Sequence, residues 1–264
     1  MIADCHLHTE FSTDSTTKME KQIQQAIRLG MKHMCITDHM DMDFPGGEFC
    51  FDTDAYVAQV LELREKYKRQ IYVGLGVELG LQHHLKDRIN AYLKKYPFDF
   101  AIGSIHLLYG EDPYQGAIFE RMEDEEVYRE YFRETYRVLQ ECPDVDTFGH
   151  LDYVVRYGKT KAQNYSYQKY SDEIDAILKI LIEKDIALEV NTAGYKTLGV
   201  TNPHPDIIRR YRELGGEKIT IGSDGHVPEY LGYRFDELKT LLNDCGFKKY
   251  TIFRHRNAIF ECIL

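Results

Sequence analysis

The chain lacks an excess of basic residues, is short of proline and has no low-complexity tract, and each deficit removes a class of protein. Lysine and arginine total 33 against 43 aspartates and glutamates, a formal net charge of −10. Proteins whose main task is to grip duplex phosphates usually carry the opposite balance. A small phosphorylated substrate stays open, because metal ions in a pocket add local positive charge that a residue count does not register. With seven prolines, 43% hydrophobic residues and 29% charged ones, the composition is that of a globular chain rather than a disordered one. The six cysteines (Cys5, Cys35, Cys50, Cys142, Cys245 and Cys262) have no CxxC spacing and read as reduced thiols. The opening MIADCHLHTEF has neither a basic nor an apolar signal region, and no apolar run approaches the roughly 18 residues a membrane span needs. The expectation is a cytoplasmic protein with no membrane segment, one domain over residues 1–264, of unknown oligomeric state.

What is present is a rhythm. Short apolar or β-branched runs at residues 2–5, 34–37, 71–77, 98–104, 145–148, 186–190 and 218–221 predict seven strands. Between them, helical spacing covers 18–29, 54–68, 86–95, 125–140, 172–183, 206–214 and 234–243. In the fifth helix Ile174, Ile177, Leu178 and Leu181 form a one-sided stripe, with Ser171 expected as its cap. Gly30 and Gly215 stand where left-handed helix ends are wanted. The alternation is an α/β pattern that could close into a barrel or wind into an open sheet. Polar residues follow almost every strand, which suits a ring gathering ligands from all sides. The prediction is a distorted (β/α)7 barrel.

Those polar residues carry the chemistry. His6 and His8 are two apart in an extended segment and therefore share a face. Later strands run into Asp38-His39, Glu78, His106, His150 and Asp224-Gly225-His226, so six of the seven predicted strands end in a metal-ligand type of side chain. Imidazoles and carboxylates without thiolates suit zinc, iron or manganese in an open site rather than a closed structural zinc. His33, His83, His84, His204 and His255 fall outside the pattern and read as surface or packing residues, and Cys5 and Cys35 as core.

Together, His6-Leu7-His8, Thr37-Asp38-His39, Glu78, Gly103-Ser104-Ile105-His106, Gly149-His150-Leu151-Asp152 and Asp224-Gly225-His226 resemble the motifs of the polymerase and histidinol phosphatase (PHP) superfamily. Within it the chain is most similar to the histidinol-phosphate phosphatases. The resemblance implies a distorted seven-stranded barrel with three divalent metal ions. The first ion would take His6, His8, Glu78 and Asp224; the second would share Glu78 and add His106 and His150; the third would take Asp14, His39 and His226. It also implies hydrolysis of L-histidinol phosphate to L-histidinol and phosphate by hydroxide generated from metal-activated water.

Glu78, Asp224 and His226 are the expected catalytic residues, with Asp224, His226 or a bound water as candidate donors to the leaving alcohol. Arg156 is the expected phosphate clamp, because a guanidinium matches phosphate oxygens; Lys196 is a second cation, and Glu111 a candidate partner for the substrate's imidazole or ammonium. The expected partner is a small phosphomonoester, with no nucleic acid and no membrane. A PHP-type nuclease or nucleotide phosphatase, and a metal-binding scaffold without catalysis, remain as alternatives.

Overall fold

The structure, a computed structural model, describes residues 3–263. Eight strands make the main sheet: β1 (Ala3–Asp4), β2 (His33–Ile36), β3 (His39–Met40), β4 (Tyr72–Gly80), β5 (Phe100–Ser104), β6 (Thr147–Phe148), β7 (Ala187–Asn191) and β8 (Ile219–Gly222). All pairings are parallel in the order β1-β2-β4-β5-β6-β7-β8, with β3 following β2 to pair with the upper half of β4. The ring closes between the first and last strands. Cys5 N donates to Ile221 O at 3.0 Å, Asp224 N to His6 O at 2.8 Å and His8 N to Gly225 O at 3.0 Å.

The seven predicted strands are therefore present in a barrel, with ends displaced by a few residues; Ile2, the predicted start of the first, lies outside the described residues. Strands of a parallel barrel are buried on both faces, which is why they read as apolar runs. Val73, Leu75, Val77 and Leu79 of β4 are all sealed from solvent. Gly74 and Gly76 alternate with them because the neighbouring strand leaves no room: a Cβ at Gly76 would stand 2.7 Å from Cys35 Sγ.

Nine helices connect the described strands: α1 (Met19–Arg28), α2 (Thr53–Tyr67), α3 (Lys86–Lys95), α4 (Ala117–Arg121), α5 (Asp124–Gln140), α6 (Ser171–Glu183), α7 (Gly194–Thr197), α8 (Pro205–Glu213) and α9 (Phe235–Asp244). The stripe on α6 is buried as its spacing predicts. Ser171 does not cap it. A 3-10 turn, Tyr167–Tyr170, runs straight into α6, so Ser171 is already helical and the capping position falls to Tyr170. Gly30 and Gly215 take positive φ values of 74° and 96° at the ends of α1 and α8.

The sequence pattern misses the final hairpin, β9 (Lys249–Arg254) and β10 (Asn257–Cys262). Phe253 stacks on Phe100 with centroids 5.3 Å apart, and the amides of His255 and Arg256 donate to Asp99, which immediately precedes β5. The hairpin thus covers the end of the barrel opposite the ligand-bearing strand ends. All six cysteines are unpaired thiols, and among the described residues no helix is long and apolar enough to cross a membrane.

Candidate metal centre

Every ligand-type residue expected from the sequence lies at or just past the C-terminal end of a strand, except Asp14, which comes from the loop before α1. Two buried aspartates lock these strand ends together without entering the site. Asp38 accepts from Thr9 N at 2.6 Å, Thr9 Oγ1 at 2.7 Å and Ser12 Oγ at 2.6 Å, tying the loop after β1 to the end of β2. Asp4 accepts from Ser223 N at 3.0 Å and Gly232 N at 2.9 Å, tying β1 to the loop after β8. His8 is consequently stacked between His39 and His226, at centroid distances of 4.3 and 4.2 Å.

Glu78 is the centre of the arrangement. Its Oε2 lies 3.2 Å from His6 Nε2, 3.6 Å from His8 Nε2 and 3.0 Å from His39 Nδ1; its Oε1 lies 3.0 Å from His150 Nε2 and 3.3 Å from His106 Nε2. Five imidazoles thus face one carboxylate that is fully buried. Burial alone would raise the Glu78 carboxyl, but the charges of His6, His39 and His106 outweigh it and hold the group well below the usual carboxylate range. Asp224 behaves the same way: burial is overcome by His6, by the neighbouring His8 ring and by Arg156. His8, buried and crowded by His226 and His39, is pushed down to about 3, whereas burial of His39 is outweighed by Glu78 and leaves it at about 9.

This donor set fits metal ions. Five of its buried atoms, His6 Nε2, His8 Nε2, His39 Nδ1, Glu78 Oε2 and His150 Nδ1, have no hydrogen-bond partner, although buried polar atoms are ordinarily satisfied. Ligand atoms of His6, His8 and Asp224, of His6, Glu78 and His150, and of His8, His39 and His226 each lie within 4.8 Å of one another. Asp14 joins the last group, its Oδ2 2.9 Å from His226 Nε2 and 3.7 Å from His39 Nε2. Asp224 adopts φ +52°, a strained conformation for a non-glycine residue of the kind that clusters at functional sites.

Above the cluster opens a cavity of about 270 Å³. Its lining combines Asp14, His39, His106, His150, Asp224 and His226 with the aromatic residues Phe44, Phe49, Tyr114, Tyr153 and Tyr157 and the carboxylates of Asp41 and Asp112. Arg156 also lines it, donating to Asn202 Oδ1 at 2.7 Å, Asp224 Oδ2 at 3.2 Å and Asn191 Oδ1 at 3.3 Å. Burial would lower its pKa, but Asp224 outweighs this and keeps the guanidinium firmly charged.

Two sequence-based candidates are not brought into the cavity lining. Glu111 is outside the cavity lining, because its carboxylate is taken by Arg121 Nη2 at 2.6 and 2.7 Å; the next residue, Asp112, lines the cavity instead. Lys196 is also outside it, its ammonium seated 3.5 Å from the centroid of the Tyr230 ring. Residues that went unnoticed are Asp41, Asp112, Glu189 and the aromatic part of the lining. Asp41 had a signal: it stands two beyond His39 in an extended segment, the same spacing that links His6 to His8. Glu189 had one too, as the single charge inside an apolar strand.

Fold and site together define a class: a parallel α/β barrel whose mouth gathers histidine and carboxylate groups that could hold metal. The chain belongs to the PHP domain family, whose model matches residues 4–193, and within it to the histidinol-phosphatases. A probable histidinol-phosphatase of Clostridium acetobutylicum is 36% identical over 249 residues, covering 94% of this chain and 95% of the relative. A histidinol-phosphatase of Lactococcus lactis is 32% identical over 251 residues, covering 95% and 93%. A crystal structure of histidinol phosphate phosphatase from Lactococcus lactis, in complex with zinc, L-histidinol and phosphate, superposes with a TM-score of 0.90 at 30% identity, covering 97% of this chain and 98% of that one.

Proposed function

We propose that the chain hydrolyses L-histidinol phosphate to L-histidinol and inorganic phosphate, using three divalent metal ions held at the barrel mouth. The observation that carries the reading is the convergence of five imidazoles on the buried Glu78, four of them (His6, His8, His39 and His150) with a ring nitrogen left unsatisfied. It is supported by relatives and a solved neighbour that bear this activity in their names. His6, His8, Glu78 and Asp224 would hold one ion, Glu78, His106 and His150 a second, and Asp14, His39 and His226 a third. When bound, such ions supply positive charge for the phosphoryl oxygens and lower the pKa of water, in a zinc, iron or manganese site alike.

The chain's own groups do the rest. Arg156, fixed by Asn191, Asn202 and Asp224, presents a charged guanidinium to the phosphate. Glu78 is sealed from solvent and acts through its charge, whereas Asp224 and His226 border the cavity and are the groups able to exchange a proton with the leaving oxygen. The aromatic rings of the lining suit a flat imidazole, and the half-enclosed Asp112 takes the role expected of Glu111, as counter-charge to the ammonium. A cavity of this size in an acidic chain favours a small substrate over nucleic acid. The unpaired thiols support a cytoplasmic placement.

Elemental analysis of protein purified without chelators tests the metal part, with two to three ions per chain expected from the three proposed ligand sets. Prolonged chelation should abolish phosphate release and divalent metal should restore it. A metal content near zero after reconstitution, or activity indifferent to chelation, would remove the claim.

A further inference from the structure

The proposed metal set does not use two buried carboxylates that stand directly behind its histidines. An imidazole binds a cation through one unprotonated nitrogen, and the choice of nitrogen is set by what the other one donates to. His6 Nδ1 lies 2.5 Å from Glu189 Oε1 while its Nε2 faces Glu78 Oε2 at 3.2 Å. His106 repeats the arrangement on the other oxygen of Glu78: Nδ1 lies 2.6 Å from Asp41 Oδ2, and Nε2 faces Glu78 Oε1 at 3.3 Å. Each ring is therefore held between a carboxylate behind it and Glu78 in front.

Both carboxylates occupy built seats. Glu189 is 1% exposed, and its second oxygen accepts from His150 N at 2.8 Å and Asn191 Nδ2 at 3.2 Å, so it also fixes the backbone of a third ligand. A Cβ at Gly222 would stand 2.3 Å from His6 Cβ and 2.8 Å from Glu189 Oε1, and one at Gly80 would stand 2.7 Å from Asp41 Cγ. Glycine at these two strand positions leaves space for the His6–Glu189 pair and for Asp41. β7, the one predicted strand without a ligand at its end, thus contributes through a residue inside it.

We infer that Glu189 and Asp41 are positioning residues that hold His6 and His106 in the Nδ1-protonated tautomer, aim their Nε2 atoms at the ions on either side of Glu78, and set how tightly those ions are held. The inference rests on the metal reading proposed above. Glu189 lies outside the cavity lining and Asp41 borders it; the role inferred for each is exerted through a ring. The hydrogen bond from Nδ1–H to a carboxylate makes Nε2 a stronger donor and removes the rotation that would turn it away.

The test uses the full chain loaded with zinc, with Glu189→Gln and Asp41→Asn as variants of nearly unchanged size. Zinc affinity is read by competition with a chromophoric chelator, and thermal unfolding is followed on the metal-free forms. Each variant should weaken retention of one ion by about ten- to a hundredfold without lowering the metal-free Tm. Long-range 1H–15N spectra of the zinc-loaded wild type, which need no variant to fold, should report protonated Nδ1 on both His6 and His106. Unchanged zinc affinity, a lowered metal-free Tm with affinity intact, or Nε2-protonated rings would overturn the inference. Wild type that binds no zinc would overturn the metal reading itself, and is distinguished by failing before any substitution is made.

Discussion

At the residue scale, the proposed ligand shell separates from incidental histidines by convergence on the buried Glu78 and Asp224. Glu78→Gln, Asp224→Asn and His106→Ala each remove a charge or donor from the cluster and should lower kcat/KM by at least about 100-fold, roughly 2.7 kcal/mol of transition-state stabilisation. His255→Ala is the contrasting case. Its ring is 76% exposed at the far end of the barrel, so turnover should stay within about twofold of wild type. Equal behaviour of the two groups in steady-state assays would break the assignment. Arg156→Ala should impair every phosphomonoester, whereas Asp112→Asn should mainly impair histidinol phosphate, by about tenfold, and Glu111→Gln should do little because Arg121 already holds that carboxylate. An Asp112→Asn enzyme equally impaired on an aryl phosphate would remove Asp112 from substrate recognition. The metal-ligand types were legible in the sequence because His, Asp and Glu at strand ends are chemically conspicuous. The substrate-facing residues were not, because the direction of a loop side chain has no periodicity: Glu111 and Asp112 are neighbours, and only the fold decides which one faces inward.

At the scale of elements, the alternation of strands and helices was legible because burial on both faces leaves continuous apolar runs in the strands, while one-sided burial leaves stripes in the helices. The closing hairpin was not. Its turn residues, His255 and Arg256, take φ values of 50° and 63°, conformations that usually call for Asn or Gly. Asp99 accepts from the His255 amide, and Asp146 Oδ2 lies 2.5 Å from Arg256 Nε, so partners distant in sequence hold a turn that its own residues do not announce. Under the same end of the barrel, His33 of β2 is buried without a partner for either ring nitrogen and stacks 5.1 Å from Tyr72 at the start of β4. Burial, and then the charge of Arg254, push it down to about 3 from an ordinary value of 6.5. The unfolded chain therefore takes up a proton that the folded chain refuses. Stability from this residue is full above pH about 6.5 and is lost as pH falls toward about 3, with a slope of at most about 1.4 kcal/mol per pH unit. In denaturant titrations of metal-free protein, His33→Phe should lose less stability than wild type over that window. Parallel curves for the two proteins would show that His33 does not titrate on unfolding.

At the scale of the whole molecule, a barrel gathers side chains from strands 183 residues apart, such as His6 and Glu189, around one point. Metal ions would give the unsatisfied atoms of that crowded cluster their partners, so they should act as folding ligands as well as catalytic ones. A single ion at 100 times its Kd should add about 2.7 kcal/mol of stability, read as a rise in Tm on titrating zinc into chelated protein; an unchanged Tm would mean that the cluster binds no ion. The most direct measurement of the central claim is phosphate release under one metal condition from L-histidinol phosphate, a generic aryl phosphate, mononucleotides and single-stranded DNA. The account predicts kcat/KM for L-histidinol phosphate at least about tenfold above the aryl phosphate, since leaving the lining's polar group unpaired costs roughly 1–3 kcal/mol. Faster release from nucleotides or DNA than from L-histidinol phosphate would contradict it.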